Sequence, residues 1–161
     1  MIDIIIALGG NIGDVRGTFA SVLRYLQDTG VLEKINMSRT YRSCSLLRDD
    51  QPNYYNCVFT ARTSLLPQAL LQKLKDAEYR FGRQNKGDKW QERTLDIDII
   101  DYGSMVIRED NLFIPHSQMA LRSFVLFPMR EVAPDYIHPE NGLTIEQMCD
   151  ALKDCLEITA V

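Results

Sequence analysis

The stretch Arg93-Thr94-Leu95-Asp96-Ile97-Asp98-Ile99-Ile100 restricts the fold and the site more than any other part of the chain. Apolar residues stand at positions 95, 97 and 99, and this period of two predicts a β-strand with one buried face. The same alternation places Asp96 and Asp98 together on the opposite face, with Cα atoms about 6.6 Å apart at ~3.3 Å of rise per residue. Neighbouring carboxylates repel each other unless a cation lies between them, and hard oxygen ligands favour Mg²⁺ or Mn²⁺ over zinc.

The residues just before this strand suit a phosphate ligand. Cations and one indole are close together there, at Arg83, Lys86, Lys89, Trp90 and Arg93. Carboxylates for one or two metal ions, cations for phosphate and an aromatic ring for stacking indicate a nucleotide-phosphate site. The ordinary alternative is an Asp-x-Asp pair that occurs by chance on a solvated strand face, and the basic neighbours weigh against it.

Length and composition predict one globular domain over residues 1–161, with 45% hydrophobic and 25% charged residues. The net charge of −4 argues against DNA or RNA as the main partner, because affinity for a phosphate backbone comes from summed positive charge. The four cysteines lack C-x-x-C spacing, so a zinc site is not expected. The first residues contain no cleavable leader and no apolar run approaches the ~20 residues of a bilayer span. We therefore expect a monomeric, cytoplasmic protein with no membrane contact.

The hydrophobic periodicity predicts strands at 2–8, 31–42, 54–64 and 93–100, with shorter ones at 105–107 and 112–114. It predicts helices at 16–28, 67–81, 124–132 and 144–156. Asp14 and a Thr144-x-x-Gln147 capping box begin the first and last helices, and Gly9-Gly10-Asn11 predicts a structural turn that is neither of the common glycine-rich phosphate loops. The order β-α-β-β-α-β over residues 2–102 predicts an α+β fold, a ferredoxin-like antiparallel sheet with two helices on one face, followed by C-terminal additions.

Several short motifs then occur in a recognisable order. They are Ala7-Leu8-Gly9-Gly10-Asn11, Thr40-Tyr41-Arg42-Ser43, Asp50-Gln51-Pro52-Asn53-Tyr54, Phe81-Gly82-Arg83, Trp90-x-x-Arg93-Thr94-Leu95-Asp96-Ile97-Asp98, Ile114-Pro115-His116 and Arg122-Ser123-Phe124. Over essentially its whole length the chain resembles the 6-hydroxymethyl-7,8-dihydropterin pyrophosphokinase family. The resemblance implies transfer of pyrophosphate from ATP to the hydroxymethyl group of a reduced pterin, with release of AMP, in folate biosynthesis.

The resemblance also implies roles for individual residues. Asp96 and Asp98 match the ligands of two Mg²⁺ ions, and with Arg83 and Arg93 they form the implied catalytic set. The implied ATP contacts are Glu78, Lys89, Trp90, Arg93, Ile99, His116 and Arg122. The implied pterin contacts are Ser43, Cys44, Leu46, Tyr54, Asn56, Trp90, Asp96 and Phe124. Taken singly, the cations among them also fit a plain surface role, and the aromatic residues fit core packing.

The chain departs from the family pattern in the loops beside the site. Prolines and a glycine are usual where Cys44-Ser45-Leu46-Leu47 stands, and the family commonly has other residues at Gly10, Asn85, Lys89, Glu92 and Ser117. Lysine lacks the bidentate fork of arginine, so we expect weaker ATP affinity or slower loop closure with the chemistry intact. Segments 83–92 and 43–53 are predicted to be mobile without ligand and to close over ATP.

Two other functions stay open on the residues alone. A binding module for a pterin or nucleotide could keep the fold without turnover, and a metal-dependent nuclease could use the same aspartate pair. The acidic net charge and the lack of a long basic stripe count against the nuclease. AMP release from ATP that depends on both pterin and Mg²⁺ separates the transferase from the binding module. Replacing Asp96 or Asp98 with alanine should abolish turnover in the transferase and the nuclease but leave pterin binding in the binding module.

Overall fold

A computed structural model describes residues 1–43, 53–82, 94–153 and 157–161. The strands are β1 (Ile2–Gly10), β2 (Glu33–Met37), β3 (Tyr41–Ser43), β4 (Tyr54–Thr63), β5 (Asp96–Tyr102), β6 (Ile107–Glu109), β7 (Leu112–Ile114) and β8 (Ile158–Ala160). The helices are α1 (Val15–Asp28), α2 (Pro67–Phe81), α3 (Ser123–Val132) and α4 (Ile145–Asp150), with a 3₁₀ turn at Met119–Leu121.

An antiparallel sheet with the strand order β5-β1-β4-β3-β8 forms the centre of the fold, and β2 also pairs with β4. Side chains from alternate strand positions enter two apolar clusters on opposite faces of this sheet. Helices α1 and α2 pack on one face with Ile4, Ile6 and Leu8. Helices α3 and α4 pack on the other face with Ile5 and Val58. The predicted α+β fold with an antiparallel sheet is confirmed, and the C-terminal additions cover its second face.

Strand β5 has the alternation that its sequence predicts. Ile97 is 1% exposed and Ile99 is 4% exposed, while Asp96 and Asp98 are half-buried on the other face. The register with β1 shifts between Ile5 and Ile6, and here the three consecutive residues 99–101 of β5 are all buried. A bulge of this kind bends its strand, so β5 is regular over the aspartates and irregular directly after them.

The single strand predicted at 31–42 is wrong, because the chain forms β2 and β3 with a break at 38–40. Ser38 is buried at this break. Its backbone N–H donates to the carbonyl oxygen of Val58 at 2.9 Å, and its hydroxyl accepts from the Val58 N–H at 3.1 Å. A side chain thus replaces a backbone acceptor, and the pairing with β4 continues on both sides of the break.

Other element boundaries also differ from the prediction. Strand β1 continues through Gly9 and Gly10, so the turn predicted there begins only at Asn11. The last predicted helix ends at Asp150 instead of 156, and the strand predicted at 105–107 lies at Ile107–Glu109. Strand β8 is absent from the prediction, since a three-residue strand depends on its distant partner β3.

Helix starts agree closely with their sequence signals. The Asp14 carboxylate accepts the Gly17 N–H at 3.0 Å at the start of α1. The Thr144–Gln147 capping box is present at the start of α4. Within the described part of the chain, none of the helices is long and apolar enough to cross a bilayer.

Candidate active site

One face of the sheet brings several of the predicted site residues together. We call it the site face and define it by Asp96, Asp98, Gly9, Asn56 and Tyr54. Gly9 pairs with Asp96 on one side and with Asn56 on the other. Asp96 and Asn56 therefore lie two strand spacings apart, about 9.6 Å, on one row across the sheet. The prediction that both aspartates share a face is confirmed by the burial of their apolar neighbours.

Gly9 leaves the space between Asp96 and Asn56 on the site face free of a side chain. A Cβ atom built on Gly9 would lie 2.9 Å from Oδ1 of Asn56. That separation is shorter than ordinary van der Waals contact, so a side chain here would push the Asn56 carboxamide away. Glycine at position 9 therefore serves the geometry of the site face, whereas the sequence indicated only a turn.

Gly10 and Gly82 both lie close to Thr94, which is the first residue described after segment 83–93 and lies two residues before β5. A Cβ atom on Gly10 would lie 2.6 Å from the carbonyl oxygen of Thr94, and one on Gly82 would lie 2.3 Å from the Cβ atom of Thr94. Gly82 ends α2, so the residues on either side of segment 83–93 meet beside Asp96. Two missing side chains make this close approach of three backbone segments possible.

His116 lies beside the aspartates on a connection that follows β7. Its backbone N–H donates to the carbonyl oxygen of Ile100 at 2.9 Å, which ties this connection to β5. Burial lowers the pKa of His116, although the negative charge of Asp98 opposes that effect. Its Nδ1 atom accepts the Gln118 N–H at 3.3 Å. A neutral imidazole whose Nδ1 accepts a hydrogen bond carries its proton on Nε2, so Nε2–H is the group with which His116 donates.

Arg122 and Phe124 stand at the start of α3, next to this histidine. The Arg122 guanidinium donates to the Gln118 side chain, and its carbon lies 5.6 Å from the centre of the Phe124 ring. Phe124 is half-buried against the apolar cluster on the site-face side of the sheet. The start of α3 thus places a cation and an aromatic ring together, and Gln118 links both Arg122 and His116.

Ser43 and Tyr54 form the pair at the far end of β3 and β4. Tyr54 is half-buried and shares the site face with Asn56, whereas Ser43 is 4% exposed. Burial leaves the Ser43 side chain little access to a ligand. Its predicted pterin contact stays a prediction.

Glu78 and Ile99, both predicted at ATP, have side chains on the opposite side of β5. Ile99 belongs to the apolar cluster of α1 and α2. Glu78 is 0% exposed, and its Oε1 accepts the Ile97 N–H at 2.6 Å. Both of its carboxylate oxygens lie 3.0 Å from Nζ of Lys75. Burial raises the pKa of Glu78, and the charge of Lys75 opposes that effect. Their predicted roles at ATP stay predictions, and this placement turns both side chains away from the site face.

The remaining predicted contacts lie outside the described residues. They are Cys44, Leu46, Arg83, Lys89, Trp90 and Arg93, together with the departures at Ser45, Leu47, Asn85 and Glu92. The predicted loop motions lie outside them as well. These roles stay predictions from the family resemblance. Ser117, a departure within the described residues, is exposed directly after His116.

One contact near the site is missing from the sequence prediction. Glu131 of α3 accepts hydrogen bonds from Arg39, whose Nη2 atom lies 2.6 Å from its Oε1, and from the Tyr41 hydroxyl. Burial alone would raise the pKa of Glu131, but the hydrogen bonds of Arg39 and Tyr41 lower it to about 2. The contact fixes the end of α3 on the site-face side of β3. Its partners are about ninety residues apart in sequence, so no local pattern announces it.

The aspartate pair is compatible with a magnesium ion. Within residues 1–43, 53–82, 94–153 and 157–161, groups of three or more potential metal ligands from His, Cys, Asp and Glu do not occur. Mg²⁺ commonly takes only one or two carboxylates from the protein and completes its shell with water and substrate phosphates. Two half-buried carboxylates on one strand face therefore suit an ion that arrives with a nucleotide.

Comparison with known proteins shows the family of this chain. The family model described as 7,8-dihydro-6-hydroxymethylpterin-pyrophosphokinase matches residues 5–134. A Synechocystis protein named 2-amino-4-hydroxy-6-hydroxymethyldihydropteridine pyrophosphokinase is 40% identical over 157 residues, which are 98% of this chain and 79% of that protein. A protein of the same name from Aquifex aeolicus is 38% identical over 139 residues, 86% of this chain and 85% of that protein.

Solved structures support the fold. A crystal structure of a Plasmodium falciparum HPPK-DHPS triple mutant with SDX-DHP matches with a TM-score of 0.73 and 16% sequence identity. The match covers 92% of this chain and 41% of that chain, so this chain spans less than half of the solved protein. At this identity the likeness concerns the α+β fold with its antiparallel sheet.

Proposed function

Because the chain belongs to the 7,8-dihydro-6-hydroxymethylpterin-pyrophosphokinase family, we propose that Asp96 and Asp98 serve its reaction as a shared magnesium site. The chain is an enzyme of folate biosynthesis that transfers pyrophosphate from ATP to the hydroxymethyl group of 6-hydroxymethyl-7,8-dihydropterin and releases AMP. The observation that carries the proposal is that both carboxylates share one face of the sheet with Gly9 and Asn56, beside His116.

The aspartates act by fixing where the metal and the phosphates lie. When bound, Mg²⁺ neutralises phosphate charge and lowers the pKa of a coordinated hydroxyl group. Asp96 and Asp98 would hold it from a rigid strand, so that little reorganisation is needed when the reaction occurs. In-line positioning and neutralised charge are most of what transfer of a phosphoryl-type group requires from a protein.

His116 and Arg122 supply donors for phosphate oxygens in this proposal. The acceptor role of His116 Nδ1 leaves Nε2–H as its outward donor, and burial lowers the pKa of His116, which favours the neutral imidazole. Arg122 contributes a permanent positive charge next to it. Gln118 positions both residues by accepting from Arg122 and donating to His116.

The pterin would occupy the other side of Gly9. The Asn56 carboxamide offers both donors and an acceptor for the polar edge of a pterin, and Tyr54 and Phe124 offer aromatic faces. A spacing of about 9.6 Å separates the Asn56 carboxamide, which would bind the pterin ring, from the Asp96 carboxylate, which would bind the metal of the phosphates. Gly9 lies between them without a side chain to block the hydroxymethyl arm.

The same proposal includes the detailed topology, the domain organisation and the cellular setting of the enzyme. The strand order β5-β1-β4, with β2 and β3 together as the next strand, fits a ferredoxin-like arrangement. Residues 1–161 would form one catalytic domain, and the enzyme would work as a cytoplasmic monomer on small-molecule substrates.

The proposal is tested by measuring AMP release from ATP with and without pterin and Mg²⁺. We expect AMP only when both are present, and a loss of about 10²-fold or more in kcat for Asp96→Asn and for Asp98→Asn. Asp3→Asn is the matched control, because Asp3 lies on β1 of the same sheet with its side chain 86% exposed. Normal AMP release by both site variants would contradict the proposed roles. ATP cleavage that needs no pterin would contradict the transfer reaction.

A further inference from the structure

Glu78 reaches the aspartate strand from helix α2. Its carboxylate accepts the Ile97 N–H at 2.6 Å, and Ile97 is the residue between Asp96 and Asp98. The Lys75 ammonium lies 3.0 Å from both carboxylate oxygens. Glu78 is completely buried, whereas the Lys75 side chain is 40% exposed. A buried, ionisable side chain thus bonds the backbone N–H of the residue between the two predicted metal ligands.

This bond satisfies a backbone group that the sheet leaves available. In the described part of the chain β5 is the terminal strand of the sheet and pairs with β1 alone. An edge strand points part of its N–H groups away from its neighbour, where a side chain or water must accept them. Glu78 provides that acceptor at Ile97, and hydrogen bonds to a charged acceptor are shorter and stronger than neutral ones. The strand is therefore held at Ile97, the residue between the two aspartates.

The location of Glu78 makes direct contact with substrate on the site face unfavourable. Its carboxylate approaches β5 from the side of α2, and Ile97 points into the apolar cluster on that side. Asp96 and Asp98 extend to the other side of the same strand. Glu78 can influence a ligand on the site face through the Ile97 peptide and through its charge.

We propose that Glu78 is a positioning residue that fixes the spacing and direction of Asp96 and Asp98 for a divalent cation. The inference rests on the proposed function, because it takes the two aspartates as the metal ligands. Replacing a group that orients a metal ligand without touching the metal commonly reduces metal affinity by about 10–100-fold.

The test compares two substitutions of Glu78. Glu78→Met removes the acceptor for the Ile97 N–H while keeping a long, unbranched side chain. Glu78→Gln keeps an acceptor oxygen for that N–H and removes the negative charge. Asp76→Asn is the matched control, since Asp76 is a carboxylate on the same helix that bonds Gln72 at an exposed site. Thermal melting and far-UV circular dichroism establish that each variant is folded.

The readout is Mn²⁺ binding, measured by electron paramagnetic resonance in the presence of α,β-methylene-ATP, so that no turnover occurs. We expect Glu78→Met to weaken Mn²⁺ binding by about tenfold or more, Glu78→Gln to weaken it by less, and Asp76→Asn to leave it unchanged. Amide exchange at Ile97 should accelerate in Glu78→Met and remain slow in Glu78→Gln.

Folded Glu78→Met with wild-type Mn²⁺ affinity would overturn the positioning role. An equal loss in the Gln and Met variants would also overturn it, because charge rather than the hydrogen bond would then be responsible. If Glu78→Met does not fold, the Gln variant still decides: slow exchange at Ile97 with less than tenfold loss of binding supports the role, and rapid exchange contradicts it. Asp98→Asn separates the two proposals. If the aspartates do not hold the metal, Asp98→Asn binds Mn²⁺ as tightly as the wild type. If only the positioning role of Glu78 is wrong, Asp98→Asn still loses Mn²⁺ binding.

Discussion

Replacing Gly9 with alanine is the smallest change that tests the geometry of the site face. The new Cβ atom would lie 2.9 Å from Oδ1 of Asn56, and ordinary contact begins near 3.4 Å. The Asn56 carboxamide must therefore move by about 0.5 Å or rotate. A displacement of 1 Å in a positioning group can reduce catalysis by 10²-fold, so about half that displacement predicts a loss of about tenfold in kcat/KM for the pterin.

The same substitution should change stability very little. The obstructing atom is the end of a side chain, whose rotation costs about 0.5–1.5 kcal/mol. Alanine in a strand interior regains roughly 0.5–1 kcal/mol relative to glycine. The two effects nearly cancel, and we expect the free energy of unfolding of Gly9→Ala to stay within about 1 kcal/mol of the wild type.

Gly10→Ala is the matched control, because the obstructing atom is in the backbone. Its Cβ atom would lie 2.6 Å from the carbonyl oxygen of Thr94, which cannot rotate away. We expect a loss of about 1–3 kcal/mol in the free energy of unfolding, as for other overpacked sites. Urea unfolding and pterin-dependent AMP release measure both variants. An unchanged pterin kcat/KM in Gly9→Ala, or a fully stable Gly10→Ala, would refute the reasoning.

Two further predictions concern stability. The ordinary pKa of 4.5 for Glu131 falls to about 2 in the folded chain, a difference worth about 3 kcal/mol at 1.36 kcal/mol per pH unit. Since the Arg39 side chain is 66% exposed, solvent screening reduces this to about 1–2 kcal/mol. Glu131→Gln should lose that amount in urea unfolding at pH 7, and the difference from wild type should shrink as the pH falls from 4.5 towards 2, because the folded-state pKa is the lower one. Glu146→Gln breaks the more exposed ion pair between Arg130 of α3 and Glu146 of α4 and should change stability by less than about 0.5 kcal/mol at pH 7 and at pH 2; a loss equal to that of Glu131→Gln would contradict the stabilising role of Glu131. Thr144→Ala removes the acceptor of the Gln147 N–H and should lower the unfolding free energy by about 1 kcal/mol; an unchanged melting temperature would show that the cap contributes nothing.

The sequence predicts well those features that local periodicity determines. The alternation in β5 predicts the shared face of Asp96 and Asp98, and Pro67 and the Thr144 capping box predict the starts of their helices. Each of these signals lies within a few residues of the structure that it predicts. The motif order also predicts the family, which the family model then confirms.

Features that depend on distant partners are not predicted. The break between β2 and β3 requires the Ser38 hydroxyl to replace a backbone acceptor for Val58, and β8 exists only as a partner of β3. From the sequence, Glu78 is an ordinary helix-face residue. Only the packing of α2 beside β5 shows that its carboxylate accepts the Ile97 N–H. Local patterns contain no information on such pairings, because side chains far apart in sequence determine them.

The central claim is that Asp96 and Asp98 together hold the divalent cation that accompanies ATP. The most direct measurement is a crystal structure of the enzyme with Mn²⁺, α,β-methylene-ATP and the pterin, in which anomalous scattering locates the metal. We expect an anomalous peak within about 2.2 Å of carboxylate oxygens from both residues, in contact with the phosphates as well. A metal bound to the phosphates alone, with both aspartates turned away from it, would contradict the claim.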